Sequence, residues 1–230
     1  MSVPRQRLAV DAPLRPGAEI LLEGNPAHYL SRVLRLTVGD AVALFNRADG
    51  EWRAQLSAIT RKNVTLRVEE SLRPAEKSIG LTVCFAPIKG GRLETIVEKA
   101  TELGADVLQP VLTRRCVVDK VNPERLESIA REAAEQCERT GWPEICDAVK
   151  LETLLGSWPG DVPLIYGDET GSGIPITELL GISREATADP RLEAKRRRAP
   201  SNNQWAILAG PEGGFAPEEL AALRHCKPAI

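Results

Sequence analysis

Apolar and polar residues alternate with a period of two in several stretches of the first seventy residues. AEILLEG (18–24), AVALFN (41–46), WRAQLSAI (52–59) and NVTLRVEE (63–70) each read as a strand. The last two flank the polar turn TRKN and predict a hairpin. Between the first two strands, NPAHYLSRVLRL changes rhythm. Asn25 can cap a helix and Pro26 suits its first position. Leu30, Val33 and Leu34 then fall on one helical face. The pattern predicts a small barrel-like β domain with one short helix over residues 1–72. The polar, proline-containing SLRPAEKS (71–78) reads as the linker to the rest.

Beyond the linker, strands alternate with helices. LTVCFAPI is a short apolar strand. GGRLETIVEKATELG places Leu93, Ile96, Val97, Ala100 and Leu103 on one face and closes on Gly104, a good C-terminal cap. DVLQPVL is the next strand. Asn122-Pro123 opens a helix through PERLESIAREAAEQCERT that Gly141 should stop. CDAV, DVPLIYG and QWAILAG read as strands, LETLLGSW and ITELLG as short helices, and APEELAALR as a helix begun by Pro217. This alternation predicts a mostly parallel α/β sheet in a second domain, residues 73–230. REATADPRLEAKRRRAPSNN (184–203) has almost no large apolar group and reads as a mobile surface loop. Its KRRR run could meet phosphates, although a charge run is more often a solvated face.

Charge adds a modest asymmetry. Residues 1–74 hold eleven Lys/Arg against eight Asp/Glu, a balance of +3, and the remainder holds nineteen against twenty-four, a balance of −5. A basic first part on an acidic second part is compatible with an RNA-binding module on an enzyme. The five cysteines are odd in number and form no C-x-x-C pair, so free thiols in a reducing compartment are expected. With only His28 and His225 to join them, no metal site is expected. No apolar run is long enough to span a membrane, and MSVPRQRLAV has no apolar signal core, so the expected location is the cytoplasm.

The candidate chemistry lies in loops. ILAGPEGGF (207–215) runs a strand into GPEGG just before a helix. YGDETGSG (166–173) follows the strand DVPLI in the same way. Ligands of open α/β sheets bind beyond the C-terminal ends of the strands. Glycines there let backbone approach a ligand, but taken alone GPEGG is a weak signal, and a tight structural turn is the commoner explanation. Neither G-x-x-x-x-G-K-[ST] nor G-x-G-x-x-G is present, which disfavours phosphate-cradling and dinucleotide loops. Asp168, Glu169 and Glu212 suit a ligand with hydroxyls or a positive charge better than a polyphosphate. S-adenosylmethionine has both.

Taken in order, HYLSRVLRL, IKGGRLETIVEKATELGAD, RRC, EAAEQCER followed by WPEI, and ILAGPEGGF resemble the 16S ribosomal RNA uridine-N3 methyltransferases of the SPOUT superfamily. The resemblance covers nearly the whole chain. It implies a SPOUT-type, trefoil-knotted α/β methyltransferase domain preceded by a small PUA-like β-barrel that grips RNA. It also implies S-adenosylmethionine as cofactor, 16S rRNA of the small ribosomal subunit as partner, and a homodimer. Tyr166, Gly167, Asp168 and Glu169, with Gly210, Pro211, Glu212, Gly213 and Gly214, would hold the cofactor. Arg5, Arg7, Arg32 and Arg35 are candidates for RNA contacts, because guanidinium groups bind phosphates as forks and stack on bases. Lys89, Arg115, Arg139 and Glu135 are candidates for the reacting end. A cation there would stabilise the uracil anion that forms as N3 loses its proton, and Glu135 or Glu212 could accept that proton.

One departure stands out. The family continues into a segment close to LG-x-R-I-L-R-x-E-T-A, whereas this sequence ends at RHCKPAI. The expectation is a C-terminally incomplete chain lacking a third cofactor loop. The rival readings are a non-catalytic rRNA-binding protein on a degraded methyltransferase scaffold, and a methyltransferase for another RNA such as transfer RNA.

Overall fold

The computed structural model describes residues 4–168, 170–171, 173, 175–176 and 204–226. The chain divides into two compact units. The first comprises Met1–Lys77 and Ser128–Trp142, the second Ser78–Glu127 and Pro143–Ile230.

The first unit is built on a five-stranded sheet. Its strands are β1 (Arg7–Ala9), β2 (Glu19–Glu23), β3 (Ala41–Asn46), β4 (Gly50–Ile59) and β5 (Asn63–Arg73), in the order β1-β3-β4-β5-β2. Only β1–β3 is parallel. The expected hairpin is β4–β5, closed at Thr60 and Asn63. Register shifts near Trp52 and Leu56 mark bulges, which bend the sheet into a PUA-like curl. The curl is open rather than a closed barrel, with β1 and β2 as its edges. Its inner face buries Ile20, Leu22, Val42, Leu44, Leu56, Leu66 and Val68.

The short helix departs from expectation. Helix α1 covers only Gly24–His28 and passes into a π-helical turn, Tyr29–Val33, in which the Leu34 N–H reaches the Tyr29 carbonyl. A π turn holds one more residue than an α turn, so the helical face is not carried forward. Leu30 is buried, Leu34 packs on the core, and Val33 is 58% exposed. Arg35 then adopts φ 56° and returns Leu36 to the core.

The second unit is a parallel sheet. Strands β6 (Leu81–Phe85), β7 (Val107–Leu112), β8 (Glu144–Ile145), β9 (Val149–Lys150), β10 (Leu164–Tyr166) and β11 (Trp205–Ala209) run in the order β10-β11-β6-β7-β8, and β9 also pairs with β7. The expected strand CDAV is instead mostly the gap between two short ones, β8 before it and β9, which begins at its last residue, Val149. The reason lies in β7, where Pro110 has no N–H to give to a neighbour. β8 pairs with Val107 and Leu108 and β9 with Val111 and Leu112. Gln109 bridges the gap by donating to the Asp147 carbonyl at 2.7 Å. Helices α2 (Arg92–Glu102), α3 (Pro123–Gln136), α4 (Leu151–Gly156) and α5 (Pro217–His225) complete the described elements. A core of Val111, Leu151, Leu154, Leu164, Leu208, Phe215, Leu220 and Leu223 ties α4 and α5 to the sheet. The fold class is thus α/β, with a PUA-like curled sheet preceding a parallel methyltransferase-type domain. The segment 177–203, with the KRRR run and all but the first residue of ITELLG, lies outside the described residues.

Two helix ends carry lessons. Gly104 caps α2 as expected, at φ 90°, with the Ala105 N–H on the Ala100 carbonyl and its own N–H on the Thr101 carbonyl. Leu103, however, is 77% exposed. The buried face is centred on Val97, Ala100 and Thr101, and Leu103 turns well away from it. Helix α3 begins as predicted, with the Asn122 side chain accepting from the Arg125 N–H. It stops at Gln136, before Gly141, because Glu138 takes the left-handed conformation at φ 61°. That conformation is costly for a residue other than glycine. It is held from outside the helix: Arg73 donates to the Glu138 carbonyl at 2.8 Å, and Arg7 to the Arg139 carbonyl at 2.7 Å.

Candidate active site

Four strands of the second unit end along one edge. The register sets Tyr166 beside Leu208, Ala209 beside Phe85, and Phe85 beside Pro110. The loops after β6, β7, β10 and β11 therefore emerge together, where ligands of parallel sheets bind.

GPEGG is a turn closed by the Gly214 N–H on the Pro211 carbonyl at 2.9 Å. Two of its glycines are required by the fold. A Cβ on Gly210 would lie 2.8 Å from the buried ring of Phe215, and Gly214 has φ 68°. Gly213 differs: it is exposed, and a Cβ there would meet only Arg115 at 3.8 Å. Pro211, Glu212 and Gly213 face Pro87, Ile88, Lys89 and Arg115 across a small depression of about 50 Å³. Arg115 donates to the Gly213 carbonyl at 2.8 Å, and Arg92 forms an ion pair with Glu212. Lys89 is exposed and has no ion pair among the described residues.

The YGDETGSG loop begins beside this turn, since the Gly167 N–H reaches the Leu208 carbonyl. Gly167 is exposed, with open space where a Cβ would stand. Asp168 is not an open carboxylate. Its side chain is 8% exposed, accepts from the Thr170 N–H at 2.9 Å and pairs with Arg224 of α5 at 3.1 Å. The Asp168 bond, and then its charge, push the Arg224 guanidinium still higher than usual. Glu169 lies outside the described residues.

Two residues that sequence reasoning passed over hold this edge together. Glu219, 5% exposed, accepts from the Ala216 N–H and from the Arg114 N–H, each at 2.8 Å. One carboxylate thus caps α5 and fastens the loop that carries Arg115. Its spacing of three from Ala216 is the capping-box signal, although alanine supplies no reciprocal acceptor. Arg224 had no comparable signal, because its partner lies 56 residues away. Nearby, at the end of β7, the buried Thr113 hydroxyl has no hydrogen-bond partner among the described residues.

The other expected site residues belong to the first unit. Arg139 pairs with Glu76 at 2.7 Å. Glu135 accepts from the Ala9 N–H at 2.9 Å, and burial pushes its carboxyl up, opposed by that N–H and by Arg7. Both groups are engaged inside their own unit. Arg7 corrects the sequence reading. Its side chain is 11% exposed, and its guanidinium bonds Glu51 and the carbonyls of Ala134, Glu135 and Arg139 while covering the Phe45 ring at 4.4 Å. It caps the end of α3, and its guanidinium is engaged by the protein itself. Arg5, Arg32 and Arg35 are exposed.

Comparison with known proteins agrees with this architecture. Residues 75–229 match an RNA methyltransferase domain family, and residues 22–69 an RNA methyltransferase PUA domain. The chain is 32% identical to ribosomal RNA small subunit methyltransferase E of Rickettsia conorii, over 96% of this chain and 84% of that one. It is also 32% identical to the Synechocystis protein of the same name, over 89% of this chain and 63% of that one. Among solved structures, ribosomal RNA small subunit methyltransferase E from Neisseria gonorrhoeae, bound to S-adenosyl methionine, superposes with a TM-score of 0.76 at 21% identity. That superposition covers 98% of this chain and 87% of the other. With its parallel strand-end site and its PUA-like curl, the chain belongs to the ribosomal RNA small subunit methyltransferase E family.

Proposed function

We propose that this protein transfers a methyl group from S-adenosylmethionine to N3 of one uridine in the 16S rRNA of the small ribosomal subunit, as a cytoplasmic homodimer. The observation that carries the reading is the strand-end depression, where two cations, Lys89 and Arg115, face the GPEGG turn in a member of this family. The edge suits the cofactor. Gly167 and Gly213 present exposed backbone with room above it, and the buried Thr113 hydroxyl, unpartnered among the described residues, lies at the same strand ends. Tyr166 to Asp168 and Gly210 to Gly214 would hold the cofactor, chiefly through backbone groups. When bound, it supplies an electrophilic methyl carbon on a sulfonium.

The chain's own part is positioning and charge. In-line displacement at carbon demands that the accepting nitrogen be held on axis. N3 must lose its proton, and the negative charge then spreads onto the uracil carbonyl oxygens. Lys89 and Arg115 stabilise that charge in this reading, with Arg115 itself steadied by the Gly213 carbonyl. Glu212, exposed in the same depression, is the carboxylate that can take the proton.

The test uses small subunits from cells lacking the enzyme, incubated with the purified chain and methyl-labelled S-adenosylmethionine. Nucleoside analysis should find N3-methyluridine at one position. Lys89→Ala should lower kcat by about 10²-fold, the usual loss for one electrostatic contact to the transition state, while cofactor affinity measured by calorimetry holds. Label on another base, or on transfer RNA only, would overturn the substrate assignment.

A further inference from the structure

The curled sheet carries a larger hollow, of about 400 Å³, whose lining includes Glu23, His28, Arg32, Arg61, Lys62 and Asn63. Its basic groups come from two separate elements. His28 and Arg32 stand four apart along α1 and its π turn, and Arg61 and Lys62 form the tip of the β4–β5 hairpin. The β2–β5 ladder locks these elements together. Glu23 pairs with Asn63 in register, and Asn63 Nδ2 donates to Glu23 Oε1 at 3.1 Å.

Among the described residues Glu23 is the single acid of the lining, and it is turned to Asn63. Arg32, Arg61 and Lys62 are exposed and form no ion pair among the described residues. In the same unit Arg7, Arg53, Arg73, Arg131 and Arg139 are each paired with a carboxylate. Three cations without carboxylate partners around one concavity repel one another, and an anion placed between them relieves that repulsion. The backbone here is also uncommon. A π turn followed by Arg35 at φ 56° presents Arg32 on an irregular segment, and such segments recur at functional sites. Ser31 does not compete for the hollow, because its hydroxyl donates to the Ala27 carbonyl at 2.7 Å.

We infer that this hollow is the grip of the PUA-like unit on rRNA, with Arg32 and Arg61 forking phosphates and Lys62 acting as a point charge between them. The inference deepens the proposed function and rests on it. Arg61, Lys62 and His28 join Arg32 as contacts, whereas Arg7 does not.

The experiment measures binding of the full chain to small ribosomal subunits at several salt concentrations. The chain is compared with Arg61→Ala/Lys62→Ala and with Arg15→Ala/Arg67→Ala, which removes the same charge from exposed sites outside the hollow. Calorimetric titration with S-adenosylmethionine accompanies each. The hairpin variant should bind subunits about tenfold more weakly. Its salt slope should flatten by roughly 1.4, the release from two single-stranded phosphates. Its cofactor titration should match that of the parent. The control should stay within about threefold of the parent in subunit affinity, as expected for charges that touch no phosphate. Equal losses in both variants would mean that net charge alone acts, and would overturn the inference. So would undiminished binding by the hairpin variant. A parent chain that binds cofactor but no small subunits would overturn the proposed substrate as well, which separates the two failures.

Discussion

Arg7→Ala removes the residue on which the first unit converges. Arg7 Nε bonds Glu51 Oε1 at 2.6 Å, and its terminal nitrogens serve the carbonyls of Ala134, Glu135 and Arg139 at 3.0, 2.9 and 2.7 Å. Glu51 is 4% exposed and keeps one partner, Arg73, whose side chain is 42% exposed. Hydrogen bonds to charged groups contribute roughly 1.5–3 kcal/mol, and stripping one partner from a buried ion pair costs about 3–5 kcal/mol. These terms overlap, and Arg73 remains, so the expected loss is about 3–5 kcal/mol. That is a large share of the roughly 5–15 kcal/mol that holds a domain folded. At about 2–4 °C per kcal/mol, Tm should fall by roughly 6–20 °C. Lysine keeps the charge but not the fork, so Arg7→Lys should fall in between. Thermal unfolding followed by circular dichroism reads the shift, and a double-mutant cycle with Glu51→Gln isolates the pair. The reasoning is refuted if Arg7→Ala moves Tm by less than about 2 °C while affinity for small subunits drops. That result would make Arg7 an RNA contact after all.

Three further outcomes are expected. Burial raises the Glu135 carboxyl above its unfolded value, so its ionisation carries a stability cost that is absent below the ordinary carboxylate range and fully present above the raised value. Stability from this group therefore falls as pH rises through that window. Glu135→Gln, which keeps an acceptor for Ala9, should gain Tm relative to the parent between pH 4 and 7; a relative gain on acidification would contradict this. Gly210→Ala drives a methyl to 2.8 Å from Phe215 and should cost about 1–3 kcal/mol in denaturant unfolding, whereas Gly213→Ala, with 3.8 Å of room, should not. Equal losses would refute the distinction. Arg224→Met should free Asp168 and weaken S-adenosylmethionine binding about tenfold by calorimetry, as loss of about 1.4 kcal/mol would; unchanged affinity would show that the loop holds its shape without α5.

Much of the local architecture was legible in the sequence. The 41–46 strand, the Asn122 and Gly104 caps and the hairpin around Thr60–Asn63 follow from alternation and turn chemistry. These signals act over a few residues, and tertiary contacts did not override them. The placement of GPEGG at a strand end was equally readable, but its division of labour was not. Only the position of Phe215 tells which glycine serves packing and which stands open.

The sequence by itself determined the strand–helix alternation, the two styles of domain and the family, because period, caps and motifs are properties of neighbouring residues. The tertiary structure decided where the charges go. Arg7 meets carbonyls more than 120 residues away, Arg224 meets Asp168, and α3 ends at a strained Glu138 rather than at Gly141. Arg61 and Lys62 become neighbours of Arg32 only through the β2–β5 register. A guanidinium looks the same in sequence whether it will cap a helix or grip a phosphate. Which it does depends on the carboxylates and carbonyls that the folded sheets bring within about 3 Å of it.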